Sequence, residues 1–360
     1  MIDRAGPIRN GEELDTRRLA DYLNTQLEGA SGEWLVEQFP CGYSNLTYLL
    51  RNGEQEFVLR RPPFGNAVQS AHDMGREFRV LEKLCKVFPA APRPLLFCSD
   101  TDIIGGEFYV MERRLGVVLR SDNTPAELNN NPARVKSLCE AFIDNLASLH
   151  TLDYQAAGLG DLGRPQGYVE RQVSGWKKRY ETAQTDTQSE LEQLGKWLVE
   201  NCPPDGRPAL IHNDYKYDNL ILDCRDLTRI VAVLDWEMAT VGDPFMDLGM
   251  SLAYWIQPND SASMRAFAFG PTMLRGSLTR QQLFERYCQQ TGLQTAQIMF
   301  YYAFGLYKLA VIVQQIYARY VRGLTSDPRF AGMNERVTAL GQAGSQAIAS
   351  GELNLSKDTT

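Results

Sequence analysis

Within a few tens of residues the chain sets three short apolar runs, ALI at 209–211, LIL at 220–222 and VAVL at 231–234, beside Asp214, Asp218, Asn219, Asp223 and Asp235. Runs this short and apolar read as buried strands, and the polar residues beside them fall at strand ends, where they can converge. Two carboxylates and an amide oxygen are hard ligands of the kind Mg2+ takes beside phosphate and water. A further carboxylate can orient a hydroxyl and accept its proton. Any one of these acids could instead cap a turn or face solvent. The joint pattern is what restricts the fold, because it calls for a compact β-rich insert that holds polar residues.

The chain differs in texture on the two sides of Leu115. After an opening helix around Leu14 to Gln26, residues 34 to 61 read as three strands, in EWLVEQF, LTYLLRN and QEFVLRR, broken by Gly42 and by the hairpin signal Asn52-Gly53. Pro62 and Pro63 end the third strand. From Ser70 to Phe88, Met74, Phe78, Leu81, Cys85 and Phe88 make an apolar stripe at helical spacing, and RPLLFCS and GEFYVMERR supply two more strands. The expectation for residues 34 to 114 is a small five-stranded, largely antiparallel sheet with one helix after the third strand. Beyond it, amphipathic helices are expected around 133–151, 166–182, 187–201, 279–291, 295–322 and 330–349. Between them lies the one β-rich segment, ALIHNDYKYDNLILD followed by RIVAVLDWE.

Length and 44% hydrophobic content allow two domains or one bilobal unit, and a net charge of -7 gives no general attraction to nucleic acid. The seven scattered cysteines form no C-x-x-C pair, and with three histidines they argue against a disulfide framework or a zinc site. The charged start, MIDRAGPIRNGEELD, resembles neither a signal peptide nor a membrane anchor, and no apolar run approaches the roughly 20 residues of a spanning helix. The expectation is a cytoplasmic protein without a membrane partner.

His212-x-Asp214-x-Lys216-x-x-Asn219 followed by Asp235 resembles the kinase catalytic loop and metal-binding motif. The wider stretch LIHNDYKYDNLILD...VLDWEMATVGDPFMDLG is similar to the aminoglycoside phosphotransferase and choline kinase family almost residue by residue. The resemblance implies an α+β, bilobal, protein-kinase-like fold. Its nucleotide-binding lobe would span residues 1–112, its hinge 113–117 and its mostly helical catalytic and substrate lobe 118–350, before a disordered tail at 351–360. It implies ATP and Mg2+ as cofactors, Asp214 as catalytic base, Lys216 at the transferred phosphate, and Asn219 and Asp235 as metal ligands. His212 is expected to brace the loop, and Asp243 and Asp247 to hold the helical lobe through backbone contacts.

The same resemblance asks the sheet for a phosphate cover and a basic residue paired to a helix glutamate. Cys41-Gly42-Tyr43-Ser44-Asn45 is the cover, with Ser44 and Asn45 at the phosphates. Arg60 stands where such kinases carry lysine, with Glu77 as partner, and is expected to position phosphates more than to hold the fold. Met111-Glu112 would meet the adenine. Gly158-x-Gly160-x-x-Gly163 fits a dinucleotide fingerprint but lacks the strand before it, so a helix-to-helix loop is the expectation. Residues 167–180 place Arg171, Trp176 and Tyr180 on a helix that would meet the acceptor, a small molecule with a hydroxyl. This helix, with VLRRPP and GREFRVLEKL, resembles the kinase-like domains joined to acyl-CoA dehydrogenases, which implies a hydroxyacyl-CoA acceptor. A polycationic aminoglycoside would want an acidic helix instead. Arg60 in place of lysine also leaves open a nucleotide-binding pseudokinase or scaffold.

Overall fold

The computed structural model describes residues 3–40, 45–64, 73–121, 123–266, 268–325 and 327–354. The chain divides into two units, Met1–Val118 with Leu220–Met238, and Leu119–Asn219 with Ala239–Thr360. The first holds α1 (Thr16–Gln26), β1 (Leu35–Gln38), β2 (Leu46–Asn52), β3 (Gln55–Arg61), α2 (Met74–Leu84), β4 (Pro94–Cys98) and β5 (Phe108–Glu112). The five strands form one antiparallel sheet in the order β1-β2-β3-β5-β4.

Alternation along the strands sorts the side chains to two faces. Leu46, Tyr48, Leu50, Leu59, Phe108 and Val110 pack with Leu19 and Leu23 of α1. Arg60 and Tyr109, opposite one another across β3 and β5, belong to the other face, where Phe78 of α2 meets Tyr109 edge-on. Asp73 caps α2 by accepting from the Arg76 N–H. The expected helix from Ser70 is thus helical from Met74, and residues 65–72 lie outside the described residues. The hairpin turn also differs by one residue from expectation. Asn52 is the last residue of β2, buried, and its amide ties down Ser31 and Glu33, so Gly53 and Glu54 make the turn.

From Leu119 the chain enters the second unit with α3 (Ala126–Asn129), α4 (Pro132–His150), α5 (Tyr168–Ala183), α6 (Ser189–Glu200) and β6 (Ala209–Ile211). After Asn219 it returns to the first unit for the hairpin β7 (Leu220–Leu222) and β8 (Ile230–Val233), so the second unit is not the continuous 118–350 of the sequence reading. It re-enters the second unit with β9 (Thr240–Gly242), antiparallel to β6, then α7 (Pro244–Tyr254), α8 (Ala262–Arg265), α9 (Arg280–Thr291), α10 (Ile298–Val321) and α11 (Met333–Ser350). Within the tail expected to be disordered, Leu353 is buried and its carbonyl accepts from Arg280; residues 355–360 lie outside the described residues.

Helix α10 is apolar around most of its circumference and packs against α5, α6, α7 and α11, as such a helix must. Its neighbour α7 is absent from the sequence reading because all eleven of its residues are buried, which erases the amphipathic period. Two glycines let α7 and α10 touch through their backbones. A methyl at Gly249 would lie 2.1 Å from the Tyr301 carbonyl oxygen, and one at Gly305 2.3 Å from that of Gly249. This close approach seats Asp247 of α7.

Candidate active site

In the second unit β6 ends at Ile211 and the chain turns sharply through His212, Asn213 and Asp214. Asn213 holds a left-handed backbone, φ 69°, which costs a non-glycine residue on the order of 1–3 kcal/mol unless its surroundings dictate it. They do. Its N–H donates to Asp247 Oδ1 at 2.8 Å, its carbonyl accepts from Lys308 Nζ at 3.1 Å, and its side-chain oxygen accepts from the Tyr168 hydroxyl at 3.3 Å. The His212 N–H donates to the other oxygen of Asp247 at 2.7 Å. Asp247 is fully buried; burial raises its pKa, but its contact with His150 Nε2 at 3.1 Å and the hydrogen bond from the His212 backbone N–H hold it below the usual carboxylate range. His212 braces the loop as expected, since its Nδ1 accepts from the Asp214 N–H at 3.2 Å. Asp243 caps α7 through the Phe245 N–H.

The turn delivers a half-buried Asp214 carboxylate surrounded by donors. Oδ1 accepts from the Tyr254 hydroxyl at 2.7 Å and Lys216 Nζ at 3.2 Å; Oδ2 accepts from Lys216 Nζ at 2.9 Å and Asn219 Nδ2 at 2.9 Å. The same Asn219 amide nitrogen reaches the Asp214 carbonyl at 2.8 Å. Its nitrogen is thereby occupied with Asp214, and its oxygen is the atom suited to a hard cation. Lys308 and Tyr254 escaped the sequence reading. Lys308 left one signal, a single cation inside the apolar run IMFYYAFGLYKLAVIV; Tyr254 left none. Burial pulls the Lys308 ammonium down to about 8, against the attraction of Asp214 and Asp247.

The first unit gathers Arg60, Glu77 and Asp235. Arg60 Nη1 lies 2.7 Å from Glu77 Oε1 and Nη2 2.9 Å from Asp235 Oδ1, with the Arg60 and Glu77 side chains 9% and 1% exposed. Glu77 also accepts from the Trp236 N–H at 3.1 Å, and Asp235, like Asn213, is left-handed, φ 70°. Burial pushes the Glu77 carboxyl up against the pull of Arg60. Burial likewise opposes the guanidinium charge, yet Glu77 and Asp235 outweigh it and hold Arg60 charged. Because this arginine is locked between two carboxylates, the expectation that it serves phosphates more than the fold is revised: its removal strands Glu77 in the interior.

Of the remaining sequence candidates, Ser44 lies outside the described residues. Asn45 is buried and gives its amide to Glu237 Oε2 at 2.5 Å. Met111 and Glu112 end β5, and the Glu112 carboxylate is engaged by the Arg93 N–H and Arg114 Nε. Asp223 serves the β7–β8 turn, paired with Arg229. On α5, Arg171 folds back onto the carbonyls of Arg164 and Gln166, and Tyr180 packs edge-on against Tyr307. Trp176 differs, since its ring lies between Arg179, 4.5 Å from the centroid, and Lys308 Nζ, 5.5 Å away. Gly158 to Gly163 form the expected loop between α4 and α5, where Gly163 abuts Thr240. Among the described residues no group of three His, Cys, Asp or Glu side chains could hold a metal ion by itself, and no helix is long and apolar enough to cross a membrane.

A sequence model described as the phosphotransferase enzyme family matches residues 36–281. Human acyl-CoA dehydrogenase family member 11 is 34% identical over 321 residues, which cover 87% of this chain and 40% of that protein. The chain thus spans less than half the length of the curated relatives it matches. A solved structure from Ralstonia eutropha, named a "putative aminoglycoside phosphotransferase", superposes with a TM-score of 0.80 at 31% identity and covers 94% of this chain and 99% of that one. Choline kinase from Cryptosporidium parvum has a TM-score of 0.61 at 14% identity, over 94% and 97% of the two chains, a likeness of fold alone. The fold is therefore the α+β kinase-like one.

Two stability measurements check this geometry. Arg60→Ala is expected to destabilise the protein by about 3–5 kcal/mol in urea unfolding, the cost of a buried carboxylate left without its cation; a loss below about 1 kcal/mol would show Glu77 to be solvated. Lys308 is charged in the unfolded chain up to its ordinary value of 10.5 but in the folded chain only to about 8. The unfolded state therefore binds more protons between these values, and stability contributed here rises with pH across that window. From about pH 7.5 to about pH 10 the parent should gain roughly 2 kcal/mol relative to Lys308→Met. Parallel pH profiles would place the ammonium in a water-like setting.

Proposed function

Because the chain belongs to the phosphotransferase enzyme family, we propose that it transfers the terminal phosphoryl group of ATP to a hydroxyl of a small molecule, with a hydroxyacyl-CoA as acceptor. One observation carries the reading: a carboxylate, Asp214, held on a strained turn by the buried Asp247 and flanked by a lysine and an amide. The acyl-CoA class is supported by the relationship to acyl-CoA dehydrogenase family member 11, with which this chain shares 34% of its residues over the matched part.

The hydroxyl oxygen forms a bond to the γ-phosphorus, the bond from that phosphorus to the bridging oxygen of ADP breaks, and the hydroxyl proton passes to Asp214. Four contacts converge on the Asp214 carboxylate. Tyr254 and Asn219 each hold one oxygen from one side, whereas Lys216 spans both. An arriving hydroxyl therefore takes the place of Lys216 at the carboxylate, and the displaced ammonium turns to the phosphoryl oxygens. Mg2+, when bound, supplies charge neutralisation at the phosphates. Asp235 in the first unit and the side-chain oxygen of Asn219 in the second each offer an oxygen donor of the kind it takes. Arg60, held by Glu77, orients Asp235.

Replacing Asp214 by Asn keeps the shape of the side chain but removes its capacity to take a proton. The expected result is a fall in kcat of about 10²–10⁴, with ATP affinity within about twofold of the parent. Single-turnover transfer to a hydroxyacyl-CoA measures it. A loss below about threefold would make Asp214 a turn acid and leave a nucleotide-binding protein without this chemistry.

A further inference from the structure

A groove of about 530 Å³ opens where α5 and α10 run side by side towards their C-terminal ends. Its lining carries four cations, Lys178, Arg179, Arg319 and Arg322, and no carboxylate; the remainder is small or neutral, including Gly175, Ala183 and Ala318. All four cations are exposed. Arg179 stacks over Trp176, and Arg322 donates to the Thr182 carbonyl at 3.0 Å. Cations near a helix C-terminus offset the exposed carbonyls, which accounts for Arg319 and Arg322. It does not account for Lys178 and Arg179, because α5 has no basic residue in its last turn. Like charges gathered in one concavity repel one another and raise the local concentration of anions.

The groove connects to the loop already described. Trp176 lies between Arg179 and Lys308, and Lys308 donates to the carbonyl of Asn213, the residue before Asp214. Along α10, Lys308 and Arg319 are three turns apart, about 16 Å at the helical rise. A molecule that offers its hydroxyl to Asp214 and its negative charge to the Arg319 and Arg322 end of the groove is therefore elongated, with anionic groups far from the reacting end. We propose that this groove binds the phosphate groups of the nucleotide end of a CoA thioester whose acyl chain reaches the catalytic loop. The assignment rests on the phosphotransferase reading above and names a subsite within it. Arginine and lysine in this number suit clustered phosphates, which accept several charge-assisted bonds at once.

The test is calorimetry of CoA, pyrophosphate and phosphate-free pantetheine against the parent and the double variant Lys178→Gln, Arg319→Gln, with the nucleotide site filled by AMP-PNP. The expected result is CoA binding that weakens at least about tenfold in the variant and falls steeply with salt, no binding of pantetheine at the same concentrations, and weaker binding of pyrophosphate than of CoA. Equal CoA affinity in parent and variant would overturn the assignment, and so would pyrophosphate binding as tight as that of CoA. A lowered Tm in the variant with unchanged CoA affinity would reduce these cations to helix-end partners and likewise overturn it. Because the measurement needs no turnover, it stands or falls independently of whether phosphoryl transfer is found.

Discussion

The buried carboxylate of Asp247 is the interaction on which the turn that carries Asp214 depends. It accepts the N–H groups of both His212 and Asn213 and meets His150, so two consecutive peptides leave β6 in one fixed direction. Without that anchor the left-handed conformation of Asn213 would relax and Asp214 would lose its aim. The anchor in turn relies on α7 lying close enough to reach the loop. The bare backbones at Gly249 and Gly305 provide that closeness, so a packing detail at two glycines determines where a carboxylate points.

A second left-handed residue repeats the device in the other unit. Asp235 follows β8 as Asn213 follows β6, and it too is held by a buried charge, here the arginine that Glu77 grips. Neither residue is a glycine, which would adopt this backbone at little cost but could offer no side chain. In each case a buried charged group holds the strained residue, Asp247 by accepting the Asn213 N–H and Arg60 by donating to the Asp235 carboxylate. Arginine at position 60 suits this role, since its planar fork reaches two carboxylates at once where lysine would present a single point charge.

Much of this was legible in the residues. Five strands, the helix between the third and fourth, and the long helices of the second unit follow from alternation and helical period, with ends displaced by a few residues at most. Asp214, Lys216, Asn219 and Asp235 stood out because their stretch resembles a kinase catalytic loop; the structure puts Lys216 and Asn219 on the Asp214 carboxylate and Arg60 on that of Asp235. What escaped has physical causes. Helix α7 is buried on every side and shows no period, and Lys308 reaches the loop from nearly a hundred residues away, a proximity only folding creates. Arg171 and Tyr180, singled out by helical spacing and by the resemblance, contact the Arg164 and Gln166 carbonyls and the Tyr307 ring respectively, neighbours that spacing does not reveal.

The proposed phosphoryl transfer rests on one carboxylate, Asp214, held on its turn, and the proposed acceptor on a basic groove whose Arg319 lies about 16 Å along α10 from the lysine that contacts that turn. The most direct measurement of that claim is mass spectrometry of a hydroxyacyl-CoA incubated with the parent protein, ATP and Mg2+. The account predicts a phosphorylated thioester formed in step with ADP. ADP released without phosphate on the thioester, or a thioester unchanged across a range of chain lengths, would contradict it.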